Sequence, residues 1–65
     1  MKKNLLEETK LGKSVAVSCE LEGDEIGLYI VAADVSAICV FQFGEWENFI
    51  KAVNKANEKF KGLFR

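Results

Sequence analysis

Four acidic residues lie within six positions and form the densest group of ionisable side chains in this 65-residue chain. They are Glu20, Glu22, Asp24 and Glu25. A calcium-binding loop places acidic ligands at every second position ahead of a glycine, and this cluster lacks that spacing. We therefore interpret the cluster as a charged, solubilising turn and predict no metal site.

Other residues that carry chemistry are scarce or badly spaced. The chain has no histidine, which is the commonest general base, and its five scattered glycines form no phosphate-binding loop. Cys19 and Cys39 lie in apolar runs without a basic neighbour, so we interpret them as reduced core thiols, with a disulfide between them as the alternative. We expect no catalytic residue, no metal and no cofactor, and hence a protein that is not an enzyme.

Charge is distributed unevenly along the chain. Residues 1–13 carry four lysines and two glutamates, residues 14–50 carry seven acids and no base, and residues 51–65 carry five bases and one acid, for a net charge of −1. The middle of the chain is therefore acidic and both ends are basic. No apolar stretch approaches the roughly 20 residues of a membrane span, and no signal peptide is evident. We expect a cytoplasmic protein without a membrane partner.

Apolar residues alternate with polar ones on both sides of Gly23 and Asp24, which predicts a β-hairpin with a two-residue turn. This turn places both apolar sets on one face, as a half-buried sheet requires. The predicted facing pairs are Leu21 with Ile26, Cys19 with Leu28, Val17 with Ile30, and Val15 with Ala32.

A further strand is predicted from Ala37 to about Phe43, and it is apolar on both faces. From Glu45 the apolar spacing becomes helical. The chain is thus predicted to be a single α+β domain over residues 1–65. It comprises an N-terminal arm (1–12), an antiparallel β-meander of three to four strands (13–43) and a C-terminal amphipathic α-helix (44–62).

A domain of this size has a small core, and such domains are commonly stabilised by a second subunit. We therefore expect a homodimer. Trp46 is interpreted as a core anchor at the start of the helix, with base stacking as the alternative. Asn57 lies within the apolar stripe, where a buried asparagine can set the register of paired helices. The predicted dimer interface consists of Phe49, Val53, Ala56, Asn57 and Phe60.

Residues 11–61 resemble the single-stranded-DNA-binding domain of the transcriptional coactivator positive cofactor four and its whirly-like relatives. The resemblance is carried by Leu11-Gly12-Lys13 before the first long strand, by Cys39-x-Phe41 in the last strand, and by Glu45-Trp46 at the helix start, followed by Phe49 and Val53. It implies a curved antiparallel sheet with a C-terminal helix, paired into a dimer through the helices. It also implies binding of single-stranded DNA and a role in transcription regulation.

The strands depart from that family, in which strand lysines and arginines hold phosphates. Here the matching strands carry Glu20, Glu22 and Glu25 and no base, and cations supply most of the affinity for nucleic acid. Our first hypothesis is a homodimeric regulatory protein that binds single-stranded nucleic acid through its basic ends. The alternative is an acidic interaction module of a phage or prokaryotic regulatory system, which binds a basic protein and no nucleic acid. The residues predicted to bind nucleic acid are Lys2, Lys3, Lys10 and Lys13.

Overall fold

The central hairpin pairs strand β2 (Ala16–Glu22) with strand β3 (Glu25–Val31) in a computed structural model that describes residues 2–64. Gly23 adopts a φ of 64° in the connecting turn, a backbone conformation that glycine tolerates without steric cost. Leu21 faces Ile26, and the next two predicted pairs also face each other. The predicted hairpin register is therefore confirmed for these three pairs.

Strand β4 (Ser36–Gln42) continues the meander antiparallel to β3. The Ala32 N–H donates to the Val35 carbonyl at 2.7 Å and closes the turn between the two strands. Leu28 then lies between Cys19 on β2 and Cys39 on β4. The register of this strand, which the sequence left open, thus places Cys39 on the same face as Cys19.

Strand β1 (Lys2–Lys10) is the main departure from the sequence-based expectation, which placed residues 1–12 in an arm outside the sheet. It runs antiparallel to β2, with Leu6 facing Cys19. Two register shifts interrupt the pairing, one on each side of Leu6. Such irregularities break the period-two pattern by which a strand is recognised in a sequence.

The completed sheet has the order β1-β2-β3-β4 and precedes a single helix, α1 (Phe43–Leu63). The predicted α+β class, with a meander followed by a C-terminal helix, is confirmed. We call the side of the sheet that carries Cys19, Leu28 and Phe41 the inner face, and the opposite side, which carries Glu20 and Tyr29, the outer face.

The helix begins directly after β4, without a loop. The backbone N–H of Gln42 donates to Oε1 of Glu45 at 2.9 Å, which satisfies one of the donors at the helix start. Phe41 then contacts two aromatic rings of the first helical turns: its ring centroid lies 5.6 Å from that of Trp46 and 5.0 Å from that of Phe49. This aromatic cluster fixes the first part of the helix on the inner face.

The core enclosed in this way is small. Cys19, Ile26 and Leu28 are the only buried hydrophobic residues in the described part of the chain. Both cysteines are free thiols, and an entire strand separates them, about 10 Å of sheet, which is too far for a disulfide. Burial, with a smaller effect from the Glu20 carboxylate, raises the pKa of the Cys19 thiol. Cys39, by contrast, is exposed.

Replacing Trp46 by alanine removes one member of the aromatic cluster. Replacing a fully buried tryptophan by alanine lowers the free energy of unfolding by about 3–5 kcal/mol. Because Trp46 is half-buried, we expect Trp46→Ala to lower it by about 2–3 kcal/mol. Urea denaturation at fixed protein concentration measures this change. The control is Glu47→Ala at the next, exposed position. Equal stability of the two variants would contradict the anchoring role of Trp46.

Candidate binding site

The outer face carries a group of carboxylates that the hairpin register brings together. Glu22 faces Glu25 across the turn, and Glu20 lies two residues away on the same face of β2. The three acids line a shallow depression together with Gly27, Tyr29 and Val40. We call Glu20, Glu22 and Glu25 the acidic patch; it is a surface suited to cationic groups.

Tyr29 is fixed to this patch by a hydrogen bond. Its phenol donates to Oε1 of Glu20 at 2.5 Å, and Nζ of Lys2 lies 3.6 Å from the same oxygen. The ring passes over Gly27, where an added Cβ would lie 3.3 Å from the phenolic oxygen. Sequence reasoning missed this arrangement, although an isolated glycine inside a strand indicates close approach of another group.

The hydrogen bond to Glu20 raises the pKa of the Tyr29 phenol. Desolvation and the negative charges of Glu20 and Glu22 act in the same direction, with smaller effects. An ionised phenol would lose the bond and would meet these carboxylates as a like charge. Tyr29 therefore stays neutral and holds the Glu20 carboxylate in place on the outer face.

The structure does not bring the four predicted nucleic-acid-binding lysines together. Lys2 and Lys3 lie at the start of β1, opposite the end of β2 at the acidic hairpin, whereas Lys10 faces Ala16 at the other end of the strand. Lys13 follows in the connection to β2. Lys2 and Lys10 are the two ends of this nine-residue strand and lie about 26 Å apart.

The charge of Lys2 is also partly engaged, because its ammonium group pairs with Glu20. The lysines therefore form two separate basic ends beside an acidic face, and within one chain they do not line a continuous basic groove.

The predicted dimer-interface residues divide into two groups. Phe49 packs on Phe41 and Trp46 of its own chain. The remaining four, which lie further along the helix, are exposed: Val53, Ala56, Asn57 and Phe60.

The second half of α1 thus presents an apolar stripe that nothing in residues 2–64 covers. Val53 is 46% exposed and Phe60 is 58% exposed. The Phe60 ring lies 4.9 Å from that of Phe64, centroid to centroid, and extends the stripe past the end of the helix.

No known protein family, curated protein or solved structure matches this chain. Within residues 2–64, α1 is the single helix, and it is not apolar enough along its length to cross a bilayer.

The shift in the pKa of Tyr29 can be measured directly, because the chain has a single tyrosine. We expect an ultraviolet absorbance titration to give a midpoint above that of free tyrosine, and Glu20→Gln to lower it. Folding raises this pKa, so the neutral phenol stabilises the fold below the ordinary tyrosine pKa, and that contribution is lost as the pH rises through the higher folded value. A midpoint equal to that of free tyrosine would contradict the bond.

Proposed function

We propose that this protein is a small, non-catalytic, homodimeric regulatory module that binds a basic protein partner on the acidic patch. The observation that carries the proposal is the separation of charge on the folded chain. The acidic patch lies on one exposed sheet face, while the arm lysines are divided between the two ends of β1. The negative potential of the acidic patch attracts a basic partner and repels a polyanion.

The homodimer is supported by how little surface the single chain buries. Its accessible surface is 5538 Å², whereas a compact monomer of 7.3 kDa exposes about 4,200 Å². The Cα radius of gyration is 13.5 Å, against about 10.7 Å for a compact chain of this length. Covering the excess on two copies would bury roughly 2,700 Å², which is in the range of obligate dimers.

The position of the uncovered apolar groups supports pairing through the helix. The stripe from Val53 to Phe64 extends beyond the part of α1 that packs on the sheet. On the inner face, Leu6 and Ile30 are also exposed. A second copy that places its helix against these surfaces would complete both cores. Asn57 would then lie within the helix pair, where its amide can fix the register.

A second candidate is binding of single-stranded nucleic acid, which the resemblance to the coactivator family implies. The observation that favours it is the polar face of α1, where Lys51, Lys55 and Lys59 follow each other at four-residue spacing and are exposed. In a dimer paired through the helices, two such rows would lie on one assembly. Phosphate contacts from these rows would give a salt-dependent affinity that involves neither the acidic patch nor the ends of β1.

The dimer is tested by placing a charge in the helix stripe. We expect the wild-type protein to sediment at twice 7.3 kDa. Val53→Glu buries a carboxylate at the interface, so its dimer dissociation constant should rise by at least about 100-fold. Lys55→Glu introduces the same side chain on the opposite helix face and should leave the dimer intact. A folded wild-type monomer at micromolar concentration would exclude this part of the proposal.

The partner class is tested by titrating labelled oligolysine and oligothymidylate at several salt concentrations. We expect oligolysine to bind, and the triple variant Glu20→Gln, Glu22→Gln, Glu25→Gln to weaken binding by about tenfold, since each exposed ion pair contributes about 0.2–1 kcal/mol. The control is Glu7→Gln with Glu8→Gln, which removes acids from β1.

Binding of oligothymidylate in preference to oligolysine would move the nucleic-acid candidate into first place. Loss of that binding in Lys51→Gln, Lys55→Gln would locate it on the helix, and loss in Lys10→Gln, Lys13→Gln would locate it on the predicted arm lysines. Substitution is the suitable test here, because deleting residues 1–10 would remove strand β1 from the sheet.

A further inference from the structure

Strand β4 forms an open edge of the sheet. It pairs with β3 on one side, and within residues 2–64 no strand pairs with its other side. Its seven residues, Ser36–Gln42, include no charge, no proline and no glycine. On the outer face Ile38 is 65% exposed and Val40 is 57% exposed. A regular, apolar, exposed edge is a template for pairing with another chain.

The opposite edge of the sheet is protected against such pairing. Strand β1 carries charged residues along its length and is interrupted by two register shifts. Charges and bulges are the usual devices by which proteins prevent edge-to-edge association. Charges and register shifts protect the edge at β1, whereas the edge at β4 has neither. The edge at β4 is therefore the one that is open to pairing with another strand.

The backbone groups available at this edge can be identified. The N–H of Gln42 points away from β3, since it donates to Glu45. In an antiparallel strand the direction of the backbone groups alternates, so those of Ile38 and Val40 point the same way. The side chains of these two residues lie on the outer face, opposite Tyr29 and Gly27. Within residues 2–64 no backbone hydrogen bond engages their outward N–H and C=O groups.

The charges around β4 indicate what kind of segment fits. Asp34 lies in the turn before the strand, Glu25 faces its last residue, and Glu45 lies in the first helical turn. Residues 14–50 contain no cation to balance them. A second copy of β4 would bring the same acids to this edge, and like charges oppose that pairing. A segment with lysine or arginine at its ends meets opposite charges instead.

We propose that β4 accepts an extended segment of a protein partner as a fifth strand. The centre of the segment is apolar and lies beside Ile38 and Val40, and its basic ends face Asp34 and Glu25. Main-chain hydrogen bonds supply affinity, and the side chains supply selectivity, as in other cases of strand addition. This inference rests on the proposed function, because it identifies the kind of segment through which the basic partner binds.

The test uses the full-length protein and an end-blocked nonapeptide with two lysines at each end and alternating valine and threonine between them. We expect binding to slow the amide hydrogen exchange of Ile38 and Val40 by at least about tenfold, because both N–H groups become hydrogen-bonded. The amide of Asn4 on the opposite edge should not change. A peptide with glutamate in place of lysine should not bind.

A variant separates the backbone contribution from the side chains. Val40→Pro removes the outward N–H without removing a bond to β3, which edge strands tolerate. We expect it to weaken peptide binding by at least about tenfold while the circular dichroism spectrum is retained. Val40→Ile, which keeps the N–H, the β-branched shape and the apolar side chain, should bind nearly as the wild type does. If Val40→Pro does not fold, the amide exchange of Ile38 and Val40 in the wild-type protein decides whether the peptide binds as a strand.

The results that would overturn the inference differ in what they say of the proposed function. Binding of the lysine peptide without slower exchange at Ile38 and Val40 would refute strand addition and leave the proposed function standing. Slow exchange of both amides in the peptide-free dimer would show that a second copy occupies the edge. Absence of lysine-peptide binding while oligolysine still binds would refute strand addition alone. Equal binding of the glutamate and lysine peptides, or absence of oligolysine binding as well, would refute the proposed function itself.

Discussion

The turn at Gly23 and Asp24 is the constraint on which the arrangement of the surfaces depends. A two-residue turn fixes the register of β2 and β3, and the side-chain period of two then assigns every residue of both strands to a face. Cys19, Ile26 and Leu28 fall on the inner face, and Glu20, Glu22 and Glu25 fall on the outer face. Shifting the register by one residue would bury the acids and expose the core. The acidic patch and the core therefore have a common origin.

With the same register, a single chain buries only a small amount of apolar surface. With Cys19, Ile26 and Leu28 as its only buried hydrophobic residues among those described, the sheet and helix gain little from burial alone. Much of the exposed apolar surface lies at two places, the second half of α1 and the open edge of β4. These places differ in chemistry. The helix offers side chains alone, whereas the strand also offers backbone hydrogen bonds, so the two are suited to different partners.

The elements with unbroken periodicity could be predicted from the sequence, and those with irregular backbone could not. The hairpin register follows from alternation around Gly23, and the helix follows from the spacing of Trp46, Phe49 and Val53. Strand β1 could not be predicted, because its two register shifts disrupt the alternation on which strand recognition relies. The candidate site could be predicted from the sequence less well than the fold. The four lysines are near each other in the sequence, but strand β1 places Lys2 and Lys3 at one end of the sheet and Lys10, followed by Lys13, at the other.

The absence of a loop between β4 and α1 has a mechanical consequence. The strand ends at Gln42 and the helix begins at Phe43, with Glu45 hydrogen-bonded across the junction. The 21-residue helix is about 30 Å long, and its first turns are joined to the end of β4 and packed on Phe41, so it would follow a rotation of that strand end. A change of about 10° in the twist of β4, which is within the usual range between strands, would move the far end of the helix by about 5 Å. In the proposed homodimer, binding of a strand at the edge of β4 would therefore change the distance between the two paired helices.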